Sequence, residues 1–437
     1  MITTMIAPMI APATMNASAT TAASQPRLIA LEGSPGPAEI GGTYSKIISA
    51  AVDNSGDVAF SATLSDSSAS SAILLKSAET TRVLLRSSDK APDGSTYKKF
   101  DELDRSFYAF NNANFPVLVF RAELEGGSAS EGLFLMEPSG VKAVAIAGGK
   151  SPRQFTYKSF AQPTIVAERG DRGGGYFLAF IAMLEDGGKS IVTSSDVLHP
   201  IELTTGDVLG TFEVRDFVIS QMGGEALSAI ADMRDLSNGN GFKDVILVAG
   251  NILSGTNFRT RGRIKGFGRI KQILTPPAIN FQVSIASVVF KGGQSAIVAR
   301  EVLGGAFAIA AAGDPAPGLA GETIQSFGPP VSNAVFPFES STQRFPDGIV
   351  SVVKLSGGRS ALWLWTRKVV FPGRDIIQTK LVWLEGDTTT EGQVARNFSP
   401  IKLSDKGTLL LRGTIGEGIS AREGLFVIDG LFDELPQ

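Results

Sequence analysis

The stretch Val52-Asp53-Asn54-Ser55-Gly56-Asp57-Val58-Ala59-Phe60-Ser61-Ala62-Thr63-Leu64 reads as a turn followed by a strand, and weakened copies of it return about every sixty residues. This repeat limits the fold more than any other feature. A unit of about sixty residues holds three or four strands and cannot bury its own apolar faces, so it must stack on copies of itself. Three sub-patterns recur in fixed order, each an apolar run between turn residues. The first is a strand often followed by glycine, as at Leu28-Ile29-Ala30-Leu31, Val83-Leu84-Leu85, Ile201-Glu202-Leu203, Asn251-Ile252-Leu253 and Leu381-Val382-Trp383-Leu384. The second is an aromatic, often with a proline, leading through a turn into the strand quoted above. Phe160-Ala161-Gln162-Pro163 and Phe398-Ser399-Pro400 are clear versions. The third is a hydrophobic strand after a Gly-rich or Ser-rich hairpin, as at Ala72-Ile73-Leu74-Leu75, Gly132-Leu133-Phe134-Leu135 and Gly424-Leu425-Phe426-Val427.

Each sub-pattern occurs seven times, which predicts an all-β chain folded as a β-propeller of seven blades. The chain stops soon after its seventh third-type strand, yet begins with a first-type strand at Leu28 that has no blade before it. The N-terminal strand is therefore expected to complete the last blade, closing the ring and hiding an exposed edge. One domain over 25–437 follows, with 1–24 set apart as a disordered tail or a weak export signal. That segment has small residues near a plausible cleavage point but no basic start, and Thr and Pro interrupt its apolar run.

The repeat resembles a bacterial, often exported family of propeller-like tandem-repeat proteins. Its lines read Gly-Asp-x-Ala-Pro-Gly, Asn-x-x-Gly-x-Val-Ala-Phe and Gly-Ile-Phe-Leu. Gly313-Asp314-Pro315-Ala316-Pro317-Gly318, Asn54 to Phe60 and Gly132-Leu133-Phe134-Leu135 carry the resemblance. Repeats four and five depart most from these lines. The resemblance implies an extracellular or periplasmic binding protein, with the cytoplasm as the alternative, and it brings no catalytic residue.

Composition narrows the function by exclusion. A net charge of -3 over 437 residues supplies no global field for nucleic acid or anionic membrane, so any such contact is local. The absence of cysteine removes thiolate nucleophiles, disulfides and cysteine metal sites, and a single histidine, His199, excludes a multi-histidine centre. His199 precedes Pro200 with no serine elbow or partner acid in view. No apolar run reaches the length of a membrane-spanning helix. Gly188-Lys189-Ser190 lacks the preceding glycine of a phosphate loop, and Arg169-Gly170-Asp171 is an adhesion tripeptide by spelling alone. Trp363 and Trp365 share one strand face and read as inter-blade core before they read as a sugar platform.

Two segments point outward. Phe258 to Gln272 carries Arg259, Arg261, Arg263, Lys265, Arg269 and Lys271 with no acid, and Phe258 and Phe267 beside them. It reads either as a polyanion contact or as a solvated blade edge, where cations also discourage strand addition. Asp232, Asp235, Asn238, Asn240 and Asp244 offer oxygen ligands around glycines, a set that suits calcium or, failing that, a polar hairpin. No cofactor is expected, with calcium as the one alternative this segment offers.

The leading expectation is a monomeric, non-enzymatic binding or scaffold module that uses its end loops or central opening. Its partner would be a protein or an anionic polysaccharide, with nucleic acid disfavoured. The alternative is a polysaccharide hydrolase or lyase with two carboxylates converging at the central opening, for which Asp53, Asp57, Asp171 and Asp405 are the acids in reach.

Overall fold

In the computed structural model, residues 25–433 are described except 79, 111–112, 169–174, 196–201, 221–225, 250–251, 261, 265, 275–276, 281–282, 302–305, 334–346 and 371–373. Strand Val58–Ser65 shows why the repeat becomes a blade. Val58, Phe60, Ala62 and Leu64 enter one apolar cluster, while Ala59 enters the next, so the sheet is buried on both faces. The preceding turn is built by Asp53, whose Oδ1 accepts the backbone N–H of Ser55 at 2.8 Å and its hydroxyl at 2.6 Å. Gly56 then takes φ +84°, a conformation open to glycine.

Blade 1 is the antiparallel meander Thr43–Val52, Val58–Ser65, Ser71–Ser77 and Thr80–Arg86, paired in chain order. Blades 2 and 3 repeat it over 96–146 and 157–204. Blades 4, 5 and 6 follow over 208–259, 263–311 and 324–384. In blade 7, Ala395–Leu403, Leu409–Ile415 and Arg422–Ile428 are completed by the N-terminal strand Arg27–Leu31, which pairs Arg27 with Val427 and Leu31 with Gly424. The chain is thus a seven-bladed β-propeller closed by its N-terminal strand. Blades 4 and 5 each gain a short leading strand, Val208–Leu209 and Arg263–Ile264, and the inner edge is split in blade 5 between Gly268–Ile273 and Ala278–Asn280 and in blade 6 between Ile324–Phe327 and Val331–Ser332.

The first strand of each blade is innermost. Thr43–Val52 touches the first strands of blades 2 and 7, and that of blade 2 touches that of blade 3. These strands all start at one end of the ring, here the entry end, and turn back at the other, the turn end. Nearly every one is bulged, and the preceding blade satisfies the backbone groups freed there. Phe100 N–H donates to Ser71 Oγ at 3.2 Å, while Ser61 Oγ donates to Asp101 O at 2.5 Å. Between blades 2 and 3, Phe160 N–H donates to Glu131 Oε1 at 2.7 Å, and Arg121 Nη1 donates to Phe160 O at 2.7 Å. Arg412 donates likewise to Ile48 O at 2.8 Å, and Ser287 to Gly328 O at 2.5 Å.

Aromatics fill the seams these bonds leave. Tyr97, Phe100, Phe120 and Phe134 form one edge-on and stacked set with centroids 5.2 to 5.9 Å apart. The Gly-Leu-Phe-Leu line has the same origin: the Phe134 ring lies over Gly132, where an added Cβ would sit 2.6 Å from it. Trp363 and Trp365 are buried between blades 5 and 6. Asp314 of the Gly-Asp-x-Ala-Pro-Gly line accepts Ala311 N–H at 2.8 Å and so shapes the crossing into the next blade.

Leu31 is buried beside Trp383 and Phe398, so Leu31→Asp should lower stability by about 3 kcal/mol or more and depress the thermal midpoint; an unchanged midpoint would refute closure by this strand. Arg121→Met should cost about 2 kcal/mol near neutrality. Burial works to raise the Asp101 carboxyl, but Lys99 and Arg121 together hold it below the usual range. A depressed carboxylate stabilises the fold above its unfolded pKa and loses that contribution as pH falls through the folded one. The gap between wild type and Arg121→Met, measured by urea unfolding, should therefore narrow below about pH 4.

Candidate functional site

The axis of the ring is crossed by charge. Lys402 of blade 7 forms an ion pair with Asp104 of blade 2 and donates to Arg105 O at 2.8 Å, spanning blade 1. Asp104 also accepts Thr164 Oγ1 and Ile165 N–H of blade 3, each at 3.0 Å. Arg105 pairs with Asp53 of blade 1 and lies 3.9 Å from Asp57. Asn54 and Asp405 bond reciprocally between blades 1 and 7 at 2.9 Å. Of the acids expected to converge here, Asp53 and Asp57 thus face a guanidinium and Asp405 an amide, while Asp171 lies outside the described residues. Asp104, Arg105 and Lys402 are the members the sequence did not single out. Only their place in the inner strands could have marked them.

A different arrangement stands at the entry end, where blades 4 and 5 part. A groove of about 550 Å³ is lined by Arg215, Arg234, Lys243 and Lys271, with Asp232 as its one carboxylate. Met233 and Phe242 border it as well, but they belong to the apolar seam with blade 3, where Phe242 is edge-on to Phe212 at 5.1 Å. Asp232 and Arg234 lie on the strand face that Ile230 turns toward blade 5, and Lys243 is paired opposite Asp232. Lys271 reaches the groove from blade 5, beside a bulge between Ile270 and Gln272.

The two outward-pointing segments thus meet in one groove, though not all of their residues do. Lys243 Nζ pairs with Asp232 at 2.7 Å and Arg215 with Glu213 at 2.8 Å, whereas Arg234 and Lys271 form no ion pair with a described residue. Arg263 and Arg269 are exposed and face each other directly across a short ladder, a pairing that is unfavourable unless an anion joins it. Arg259 ends the outer strand of blade 4; Arg261 and Lys265 lie outside the described residues. Phe267 is stacked on Phe290 at 5.4 Å, in the core of the seam.

The five candidate calcium ligands are not brought together. Asp235 is used by the hairpin, accepting from Ser237 and from Asn238 Nδ2 at 2.8 Å, and Asn238 accepts Asn240 N–H at 2.9 Å. Asp244 is buried on the opposite face of the sheet from Asp232. Among the described residues no three His, Asp or Glu side chains are grouped to share an ion. His199 and Arg169-Gly170-Asp171 fall outside the described residues, and Lys189 pairs with Asp216 at 2.5 Å. No helix among the described residues is long and apolar enough to cross a membrane.

Seven closed blades, a charged axis and a basic groove at one end define the class: a propeller of the kind whose end surfaces are free to carry function. Residues 17–197 match the model of a family of unknown function, DUF7453. No curated protein matches the sequence. Among solved structures, the chain is similar to the fucose-specific lectin of Aleuria aurantia, at 10% identity over 77% of this chain and 95% of that one with a TM-score of 0.34. It is similar also to the BP39L lectin of Burkholderia pseudomallei, at 11% identity over 86% and 97% with a TM-score of 0.39. The polysaccharide lyase Uly1 is 8% identical over 85% and 88%, with a TM-score of 0.41. The fold is read from the sheets themselves and not from these likenesses.

The axial pair is open to a direct test. Lys402→Met strands a buried carboxylate and should cost about 3 kcal/mol in urea unfolding, and pairing it with Asp104→Leu should restore part of that loss. No recovery in the double variant would show that Lys402 acts through packing alone.

Proposed function

We propose that this propeller is a non-catalytic binding module whose ligand is an anionic polymer seated in the groove between blades 4 and 5. The observation that carries this reading is the set of cations with no carboxylate partner among the described residues: Arg234 and Lys271 in the groove, and Arg263 opposite Arg269 on its blade 5 side. A chain with a net charge of -3 gains nothing general from such a cluster, and a local one is what a multivalent anion requires. Nucleic acid is the weaker candidate. Single strands are held by exposed aromatics, and the exposed large hydrophobics among the described residues are Val208, Leu236, Val394 and Ile419. An acidic polysaccharide has no bases to stack and needs only the cationic rim. Such polymers lie outside cells, so this reading goes with export.

The enzyme alternative would place paired carboxylates at the axis. Asp53, Asp57 and Asp104 stand there beside Arg105 and Lys402, an arrangement better suited to holding blades than to moving protons between sugar and water. The test is retention of the full chain on immobilised heparin at two salt concentrations. Arg234→Gln with Lys271→Gln should elute at clearly lower salt, with a binding slope against log salt smaller by about 2 and an unchanged thermal midpoint. Identical elution would leave the groove a solvated blade edge.

A further inference from the structure

The hairpin between the second and third strands of blade 4 holds two asparagine–glycine pairs in succession, Asn238-Gly239 and Asn240-Gly241, and both glycines line the groove. Asparagine before glycine is the pair in which a backbone nitrogen most readily reaches a side-chain amide, because glycine brings no Cβ to obstruct the approach. Ring closure between them needs a free N–H on the glycine and an amide able to swing toward it.

The fold denies both to the first pair. Gly239 N–H donates to Asp235 O at 2.7 Å. Asn238 Nδ2 donates to Asp235 Oδ2 at 2.8 Å and Asn238 Oδ1 accepts Asn240 N–H at 2.9 Å, so this amide is held through both of its polar atoms. The second pair is held differently. Asp235 N–H donates to Asn240 O and Thr260 N–H to Lys243 O, so even-numbered residues here turn their backbone groups toward strand Ala226–Asp235 and odd-numbered ones toward the outer strand Ile252–Arg259. Gly241 N–H therefore points to the side on which the outer strand has already ended, and it forms no hydrogen bond with a described residue. The Asn240 side chain forms none either, and both residues are exposed.

We propose that Asn240 is a site of deamidation whose product sets a carboxylate at the rim of the groove. Gly241 N attacks Asn240 Cγ; the new Cγ–N bond forms, the Cγ–Nδ2 bond breaks, and ammonia leaves with the proton of the Gly241 N–H. Water then opens the cyclic imide at one carbonyl or the other and yields aspartate or isoaspartate. A neutral amide has become an acid next to Gly241, whose strand partner is Arg234, and so within about one Debye length of that cation. The groove gains a negative charge in addition to Asp232, and its affinity for an anionic polymer falls as the chain ages. That consequence rests on the proposed binding role; the modification itself does not.

The experiment incubates the full chain in mildly alkaline buffer and follows the tryptic peptide 235–243, which cleavage after Arg234 and Lys243 releases with both asparagines. Fragment masses should assign the amide-to-acid change to Asn240 with Asn238 retained, and isoaspartyl methyltransferase should label the peptide. In urea both asparagines should convert, because the bonds that hold Asn238 are gone. Gly241→Ala should slow the conversion about tenfold or more at an unchanged thermal midpoint, since its Cβ hinders attack by the nitrogen and meets only Met233 O, at 3.9 Å. An unconverted Asn240 in the folded chain, or conversion of Asn238 at the same rate, would overturn the site. Asn240→Asp supplies the aspartate product in uniform form and should bind immobilised heparin about twofold more weakly, eluting at lower salt. Elution of this variant with wild type would overturn the consequence for binding. If Arg234→Gln with Lys271→Gln also elutes with wild type, the groove reading has failed, and the peptide masses still decide the modification.

Discussion

The innermost strands of blades 1, 2, 3, 4 and 6 each take hydrogen bonds from the blade before them. The bulge frees an N–H and a carbonyl that no strand of the same sheet can meet, and the preceding blade supplies both partners, as Ser71 and Ser61 do for Phe100 and Asp101. An unmet buried backbone group costs about as much as a lost hydrogen bond, so a blade without its predecessor is penalised at its inner edge as well as on its open apolar face. Stacking is thereby directional. It also explains why the ring must close: blade 1 needs the donor Arg412 from blade 7, and blade 7 needs the N-terminal strand to complete its sheet.

Blades 7, 1, 2 and 3 are tied further by the axial charges. Among the described residues of blades 4 to 6, the seams carry hydroxyl contacts such as Ser228 with Ser284 at 2.9 Å and Ser332 to Ile279 O at 2.8 Å. Buried ion pairs are weak evidence of net stability, because desolvation consumes much of the attraction. Their value at the axis is better read as register: Asp104 accepts only from Lys402, Thr164 and the backbone of its own and the next blade if the three blades stand at the right height. A seam held by small hydroxyls leaves its rim free to part. The groove lies at such a seam.

The fold was largely legible because it is written seven times. Phe60, Phe120 and Phe180 at matching places reveal a strand that any single copy leaves ambiguous, and the unmatched strand at Leu28 reveals how the ring closes. The site was less legible for two physical reasons. The basic run at 258–272 drew attention as a local density of charge, but a groove between blades draws Arg215 and Arg234 from positions far away along the chain. The oxygen-rich stretch at 232–244 resembled a ligand set because composition does not record which face a strand residue occupies; alternation sends Asp232 and Asp244 to opposite sides. The axial residues were hidden for the same reason, since Lys402 and Asp104 are 298 positions apart and meet only when the ring is closed.

The two ends of the ring therefore divide their charges. Toward the turn end, cations of the inner strands are matched one to one by carboxylates of other blades and are buried with them, so they organise the molecule. At the entry end, Lys46, Lys158 and Lys271 are exposed and form no ion pair with a described residue, which costs little in water but yields free energy only when an anion arrives. A protein with a net charge of -3 repels polyanions weakly at long range, so such a site is occupied through contact instead of steering. Contact of that kind rewards a ligand in proportion to the charges it can meet at once, and stacked blades fix how far apart those charges must be.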